Sequence, residues 1–134
     1  MPMRTTALAL AFVFAGVLTA AASCPPTTGP DSAECNAAHP TRTTVARCAA
    51  DARTIETCAD RATGIVHALY LTRAASEWRK AAIAAGRRTP EARRRLAHAM
   101  VLDERVQDDP DAPLPLRARA KHDEQLAKEA LTGR

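Results

Sequence analysis

The sequence predicts an all-α protein, in which two or three short, alanine-rich helices pack as a small hairpin or bundle behind a cleaved signal peptide and a flexible tether. The composition favours helices, because alanine is abundant, 25% of residues are charged and only 3% are aromatic. Apolar side chains also recur at spacings of three and four. The 134 residues allow one small domain at most. Large aliphatic side chains are scarce after residue 23, which excludes a sizeable enzyme with a buried pocket.

Residues 1–23 have the pattern of a signal peptide. Arg4 supplies a positive start, an uncharged apolar run extends from Ala7 to Ala22, and small residues end at Ser23. An uncleaved membrane anchor is the alternative, but a spanning helix needs about 20 apolar residues. The pattern therefore favours export and cleavage.

Cys24 follows this segment directly. A small residue before a cysteine at the end of an apolar stretch resembles a bacterial lipobox, although Ala21 stands where leucine is usual. This similarity predicts lipidation of Cys24 and a protein anchored in the cell envelope, facing the periplasm. The alternative is ordinary cleavage near Ser23, which gives a soluble periplasmic protein and leaves Cys24 free to form a disulfide.

Residues 24–40 are predicted to be a flexible tether. The segment is rich in residues that interrupt regular structure: Pro25, Pro26, Gly29, Pro30 and Pro40. Such a stalk would hold a folded domain away from the bilayer.

Residues 41–86 are predicted to be a helical domain that begins with Thr41 or Thr43 as the N-cap. An apolar stripe follows at helical spacing, made of Val45, Cys48, Ala52, Ile55, Ala59, Ala62, Val66 and Leu69. Thr63-Gly64 predicts a kink or a turn within this helical stretch, and Gly86 predicts its end.

Residues 87–134 are predicted to be a charged helical C-terminal extension. Thr89 at the N-cap, Pro90 at the first helical position and Glu91 in the first turn predict a helix that runs to about Gln107. A last, weak helix is expected over residues 115–131.

The net charge of +4 is mildly basic, but one stretch is strongly so. Between Thr72 and Met100 the bases are Arg73, Arg79, Lys80, Arg87, Arg88, Arg93, Arg94 and Arg95, against Glu77 and Glu91. The functional interpretation is a basic patch for anionic lipid headgroups or an acidic partner. The alternative is a solvated helix face, paired in part with the acidic C-terminal residues.

All four cysteines, Cys24, Cys35, Cys48 and Cys58, follow the signal segment, where disulfides persist. Their spacings match no zinc motif. A continuous helix separates Cys48 from Cys58 by about 15 Å, whereas a disulfide needs Cα atoms within about 7 Å. A Cys48–Cys58 bond therefore requires a break in the first helix, whereas Cys35–Cys48 or Cys35–Cys58 would staple the tether to a continuous helix.

Candidate catalytic residues occur only singly and form no recognisable motif. His67 and Tyr70 lie three residues apart, and His98 lies near Asp103, but a general acid or base needs a positioned, partly buried environment. We therefore expect no catalytic residue, no metal, no cofactor and no small-molecule substrate. Export and the scarcity of aromatic residues also argue against a nucleic-acid partner.

The pattern His39-Pro40-x-Arg42, followed by Cys48, Cys58 and Ala62 behind a lipobox, resembles the entry-exclusion lipoproteins of conjugative plasmids. The resemblance covers roughly residues 1–80. It implies an envelope protein that blocks redundant conjugative transfer by binding a component of the mating, or type IV secretion, apparatus.

The resemblance also implies a disulfide between Cys48 and Cys58 that joins two short helices, and hence a broken first helix. The alternative function is a generic periplasmic or outer-membrane structural or adaptor lipoprotein, such as a secretion-system accessory. The sequence does not indicate which residues bind the partner.

Overall fold

A computed structural model describes residues 24–133, so the predicted signal peptide, residues 1–23, lies outside the described residues. Within them the structure is all-α, as predicted, and has four helices rather than two or three. The helices are α1 (Arg42–Asp60), α2 (Gly64–Ala84), α3 (Pro90–Gln107) and α4 (Leu114–Thr132). No strand occurs between residues 24 and 133.

Local sequence signals set the helix starts. Thr41 is the N-cap of α1 and forms a capping box with Thr44, whose backbone N–H donates to the Thr41 hydroxyl at 3.2 Å. Thr89 caps α3 by accepting from the backbone N–H of Ala92 at 3.1 Å. The bounds predicted for α3 are therefore confirmed.

The break between α1 and α2 lies at residues 61–63, after Cys58. Gly64 has a φ of 62°, a left-handed conformation that costs glycine least. Thr63-Gly64 is thus a turn rather than a kink. Helix α1 is continuous past both Cys48 and Cys58, so the broken first helix implied by the resemblance is absent.

Helix α2 is the centre of the bundle, since it packs against α1, α3 and α4. The largest fully buried side chains include Ile55, Leu71, Leu102 and Val106, which belong to one cluster. A smaller cluster joins Leu96 to alanines of α2, α3 and α4. Helices α3 and α4, in the region predicted to be a charged helical extension, therefore contribute to the core.

Alanine explains how so few large side chains can form this core. Many fully buried positions of α2 are alanines, which let neighbouring helices approach closely while burying little area each. None of the helices in residues 24–133 is long and apolar enough to cross a membrane.

Candidate functional site

Residues 24–40 form a segment, called the N-terminal strap, that is bonded to α1 by two disulfides. Cys24 pairs with Cys58 and Cys35 pairs with Cys48, with Cα separations of 5.8 Å and 4.8 Å. The predicted Cys48–Cys58 bond is wrong, because the unbroken helix α1 holds those two residues about 15 Å apart.

The lipid predicted on Cys24 is incompatible with the bond to Cys58. A sulfur atom engaged in a disulfide has no free valence for a thioether to a lipid. The two disulfides indicate an exported protein in an oxidising compartment, which agrees with that part of the prediction.

Polar contacts also fix the strap along α2. The hydroxyl of Tyr70 donates to the carbonyl of Pro25 at 2.6 Å. Asp31 accepts from the Ser76 hydroxyl at 2.7 Å and from the Lys80 ammonium at 2.6 Å. The segment predicted to be a flexible tether is therefore held at several points along its length.

Glu77 is a completely buried carboxylate beneath the strap. The backbone N–H of Ser32 donates to its Oε1 at 2.9 Å, and the Nε of Arg73 lies 3.6 Å from the same oxygen. Burial raises the pKa of Glu77 to about 7; the Ser32 hydrogen bond opposes this rise, while Asp51 and Asp31 add to it. The strap therefore covers a carboxyl group whose burial favours the protonated form.

Asp103 is a second completely buried carboxylate, on α3. Neither of its oxygens has a hydrogen-bond partner among residues 24–133. Burial raises its pKa to about 7, and the negative charge of Asp123 adds to the rise while Arg79 opposes it. Weaker contributions come from Glu124, which raises the pKa, and Arg119, which lowers it.

The structure does not bring the candidate catalytic residues together. The Nδ1 of His67 lies 2.6 Å from the carbonyl of Ala59, whereas Tyr70 is bonded to the strap. His98 contacts Glu56 of α1 rather than Asp103. Each group therefore makes a separate structural contact.

Seven of the eight bases of this stretch divide into two parts, and the eighth, Arg95, pairs with Glu91 of its own helix. Its first three bases form ion pairs inside the bundle: Arg73 with Glu77 and Asp51, Arg79 with Asp123, and Lys80 with Asp31. These three bases are therefore paired with acids, as the alternative interpretation of the sequence proposed. However, only Asp123 comes from the C-terminal region, and the other acids come from the strap, α1 and α2.

The second part, called the exposed arginine cluster, consists of Arg87, Arg88, Arg93 and Arg94 on the α2–α3 loop and the start of α3. All four side chains are exposed, and none of them forms an ion pair with the described residues. Their exposure agrees with both interpretations of the sequence, a patch for an anionic partner and a solvated helix face.

A groove beside the cluster, called the Trp78 groove, was not predicted. Glu56 accepts a hydrogen bond from Trp78 Nε1 at 3.0 Å and lies 2.9 Å from His98 Nε2. The rings of Trp78 and His98 meet edge to face at 5.3 Å, and the Arg53 guanidinium lies 5.3 Å from the Trp78 ring centroid. These contacts join helices α1, α2 and α3.

The cavity in this groove has a volume of about 340 Å³ and is lined by Arg53, Trp78, Glu91, Arg94, Arg95 and His98. Arg95 Nη2 donates to Glu91 at 2.7 Å, whereas its Nη1 is buried without a partner among the described residues. Arg94 of the exposed arginine cluster lines this cavity, whereas Arg87, Arg88 and Arg93 line a different one together with the C-terminal end of α4.

Over residues 24–133 the chain belongs to the class of disulfide-bonded four-helix bundles, its two disulfides indicate export, and it carries exposed arginines on the α2–α3 loop and the start of α3. No protein-family model, no curated protein and no solved structure matches the chain. The comparisons therefore do not identify an entry-exclusion family, and that assignment depends on the short motifs of residues 39–62.

Proposed function

We propose that this is a cell-envelope protein that acts by binding an acidic surface of a protein partner and performs no chemistry of its own. The observation that carries the proposal is the exposed arginine cluster. Arg87, Arg88 and Arg93 line one cavity, and such exposed guanidinium groups favour a partner that supplies carboxylates, because arginine binds carboxylate in a planar, two-pronged geometry.

The proposed location is the periplasm, in soluble form. This is the alternative that the sequence left open for an unlipidated Cys24, and the Cys24–Cys58 disulfide favours it. Membrane attachment, if present, would then depend on the partner rather than on a lipid at this residue.

The specific role we propose is entry exclusion, in which the partner is a component of an incoming mating apparatus. The supporting observation is the motif His39-Pro40-x-Arg42, whose residues are exposed at the start of α1. A structural or secretion-accessory adaptor is the second candidate, and it needs the same protein-binding surface without the exclusion phenotype.

Conjugation assays with a neutralised surface test the proposal. One variant carries glutamine at all four positions of the exposed arginine cluster. The matched control loses the same charge at four exposed bases elsewhere, Arg47, Arg61, Arg105 and Lys121. Both are produced in recipient cells, and transfer of the element that carries this gene is compared with transfer of an unrelated element.

Entry exclusion requires that the wild-type protein and the control variant reduce transfer of the cognate element only, and that the cluster variant at equal protein level does not. A normal recipient phenotype with a transfer or secretion defect in donors lacking the protein would instead establish the adaptor role. The proposal of a protein partner at this surface would be overturned if the cluster variant and the control variant lost exclusion equally and also lost binding to phosphatidylglycerol vesicles equally.

A further inference from the structure

We infer that the N-terminal strap is a pH-dependent switch, in which a proton shared by Glu77 and Asp51 keeps the middle of the strap closed on α2 and loss of that proton opens it. The two disulfides keep both ends of the strap attached to α1, so only its middle, residues 25–34, moves. The switch therefore works without unfolding of the bundle.

Glu77 lies on α2 beneath the middle of the strap. Its side chain is completely buried, and its Oε1 accepts from the backbone N–H of Ser32 at 2.9 Å. The preceding strap residue, Asp31, accepts from Ser76 and Lys80 of the same helix at 2.7 Å and 2.6 Å. The strap is therefore part of the cover that keeps water away from the Glu77 carboxyl group.

Two buried carboxyl oxygens in this region have no hydrogen-bond partner among residues 24–133. They are Oε2 of Glu77 and Oδ2 of Asp51, a residue of α1. The Arg73 guanidinium lies 3.6 Å from Glu77 Oε1 and 4.0 Å from Asp51 Oδ2, which is too far for a hydrogen bond to either. One proton shared by the two carboxyl groups supplies the missing donor.

The charges that face Glu77 favour its neutral form. Asp31 of the strap and Asp51 of α1 are negative, and Arg73 of α2 is positive. Burial raises the pKa of Glu77 to about 7 against the opposing hydrogen bond from Ser32, and a hydrogen bond with Asp51 adds to the rise. Glu77 therefore carries the proton, and Asp51 accepts the hydrogen bond.

Opening of the strap is coupled to loss of this proton. With the strap lifted, Glu77 is hydrated and no longer faces Asp31, so its pKa falls back towards the ordinary value of 4.5. The open state gains population as pH rises, because it binds this proton less tightly than the closed state. The proton passes to solvent, and Ser76 and Lys80 become exposed together with the Glu77 carboxylate.

Hydrogen exchange at the Ser32 amide measures the opening, because this N–H is bonded to Glu77. NMR follows exchange of the purified, oxidised protein between about pH 5 and pH 8, and each rate is divided by the rate of an unstructured peptide at the same pH. We expect the protection of Ser32 to fall by roughly tenfold or more over this range. The amide of Leu71, in the core of α2, should stay better protected than Ser32 throughout.

Two variants test the shared proton. Glu77→Gln imitates the protonated carboxyl group, since its amide oxygen can accept from Ser32 and its amide N–H can donate to Asp51. Its Ser32 protection should change less than about twofold over the same range. Asp51→Asn removes the repelling charge, so the fall should be smaller than in the wild type. Glu129→Gln and Asp60→Asn make the same chemical changes at exposed residues and should leave the wild-type fall intact.

Protection of Ser32 that does not change with pH in the wild type would overturn the switch, as would an equal fall in the wild type and Glu77→Gln. Equal protection of Ser32 and Leu71 at every pH would mean that the strap leaves α2 only on global unfolding, which also contradicts the switch. If circular dichroism finds Glu77→Gln unfolded, Asp51→Asn decides, because a fall as large as in the wild type would refute the shared proton.

Discussion

Cys24 and Cys58 are bonded across 34 residues, which fixes the first residue after the predicted signal to the last turns of α1. The second bond joins Cys35 to Cys48, ten residues earlier on the same helix. The strap therefore runs antiparallel to α1 and is attached at both ends. This arrangement explains how a proline-rich segment becomes part of a small bundle.

Digestion at aspartate residues distinguishes this connectivity from the one implied by the resemblance. Cleavage before Asp31, Asp51 and Asp60 of the unreduced protein should give residues 31–50 as one peptide, two hydrogens lighter because it holds the Cys35–Cys48 bond. The peptide ending at Pro30 should be joined to residues 51–59. Mass spectrometry with thiols blocked beforehand measures both products.

A Cys48–Cys58 bond would instead join residues 31–50 to residues 51–59. A lipid adduct on the peptide that contains Cys24 would contradict the structure and support the prediction that Cys24 is lipidated. The absence of any mass deficit would contradict both disulfides.

Removing each disulfide as a pair should destabilise the protein by different amounts. The loop closed by Cys24–Cys58 spans 34 residues and that closed by Cys35–Cys48 spans 13. Loop entropy then predicts losses of about 4 kcal/mol for Cys24→Ser with Cys58→Ser and about 3 kcal/mol for Cys35→Ser with Cys48→Ser. Urea unfolding of the two double variants measures these losses, and a loss below about 1 kcal/mol in either would contradict a structural role for that bond.

Local signals explain what the sequence predicted correctly. Thr89, Pro90 and Glu91 act within one turn of helix, so the start of α3 was readable without knowledge of the fold. Thr41 as the cap of α1 and Gly64 as a turn are local in the same sense. The number of helices was underestimated because the apolar stripe continues across the turn at Gly64.

Features that join distant residues were not predictable in this way. The acid that pairs with Lys80 is Asp31, and the acid that pairs with Arg79 is Asp123. No spacing rule reveals which bases of one stretch turn inward, so the exposed arginine cluster and the Trp78 groove appear only in the folded chain. The disulfide connectivity is non-local for the same reason.

The hydrogen bond from Tyr70 to Pro25 should stabilise the start of the strap, and Tyr70→Phe removes only that donor. We expect a loss of about 1 kcal/mol in the free energy of unfolding, because a partly buried carbonyl loses its hydrogen-bond partner. The same substitution in the variant lacking Cys24 and Cys58 should cost less, since the strap end is already released. Urea unfolding of the four proteins gives this coupling, and equal costs in both backgrounds would contradict it.

The buried carboxylates should make stability fall as pH rises. The native pKa of Asp103, about 7, lies above its unfolded value of 3.8, so the native state binds more protons between those values. The same holds for Glu77, whose pKa is 4.5 in the unfolded chain and about 7 in the native protein. Each contribution is fully present below the unfolded pKa and is lost as pH rises through about 7.

Between pH 5 and pH 8, each of these two groups should lower the free energy of unfolding by roughly 2–3 kcal/mol. Asp103→Asn cannot ionise at this position, so its urea midpoint should change with pH about half as much as that of the wild type. Asp60→Asn makes the same chemical change at an exposed residue and should leave the wild-type slope intact. A midpoint that rises from pH 5 to pH 8 would mean that Asp103 and Glu77 are ionised in the native protein throughout. That result would require that both carboxylates have stabilising hydrogen-bond donors or positive charges inside the bundle. It would contradict the structure, in which burial favours their neutral forms.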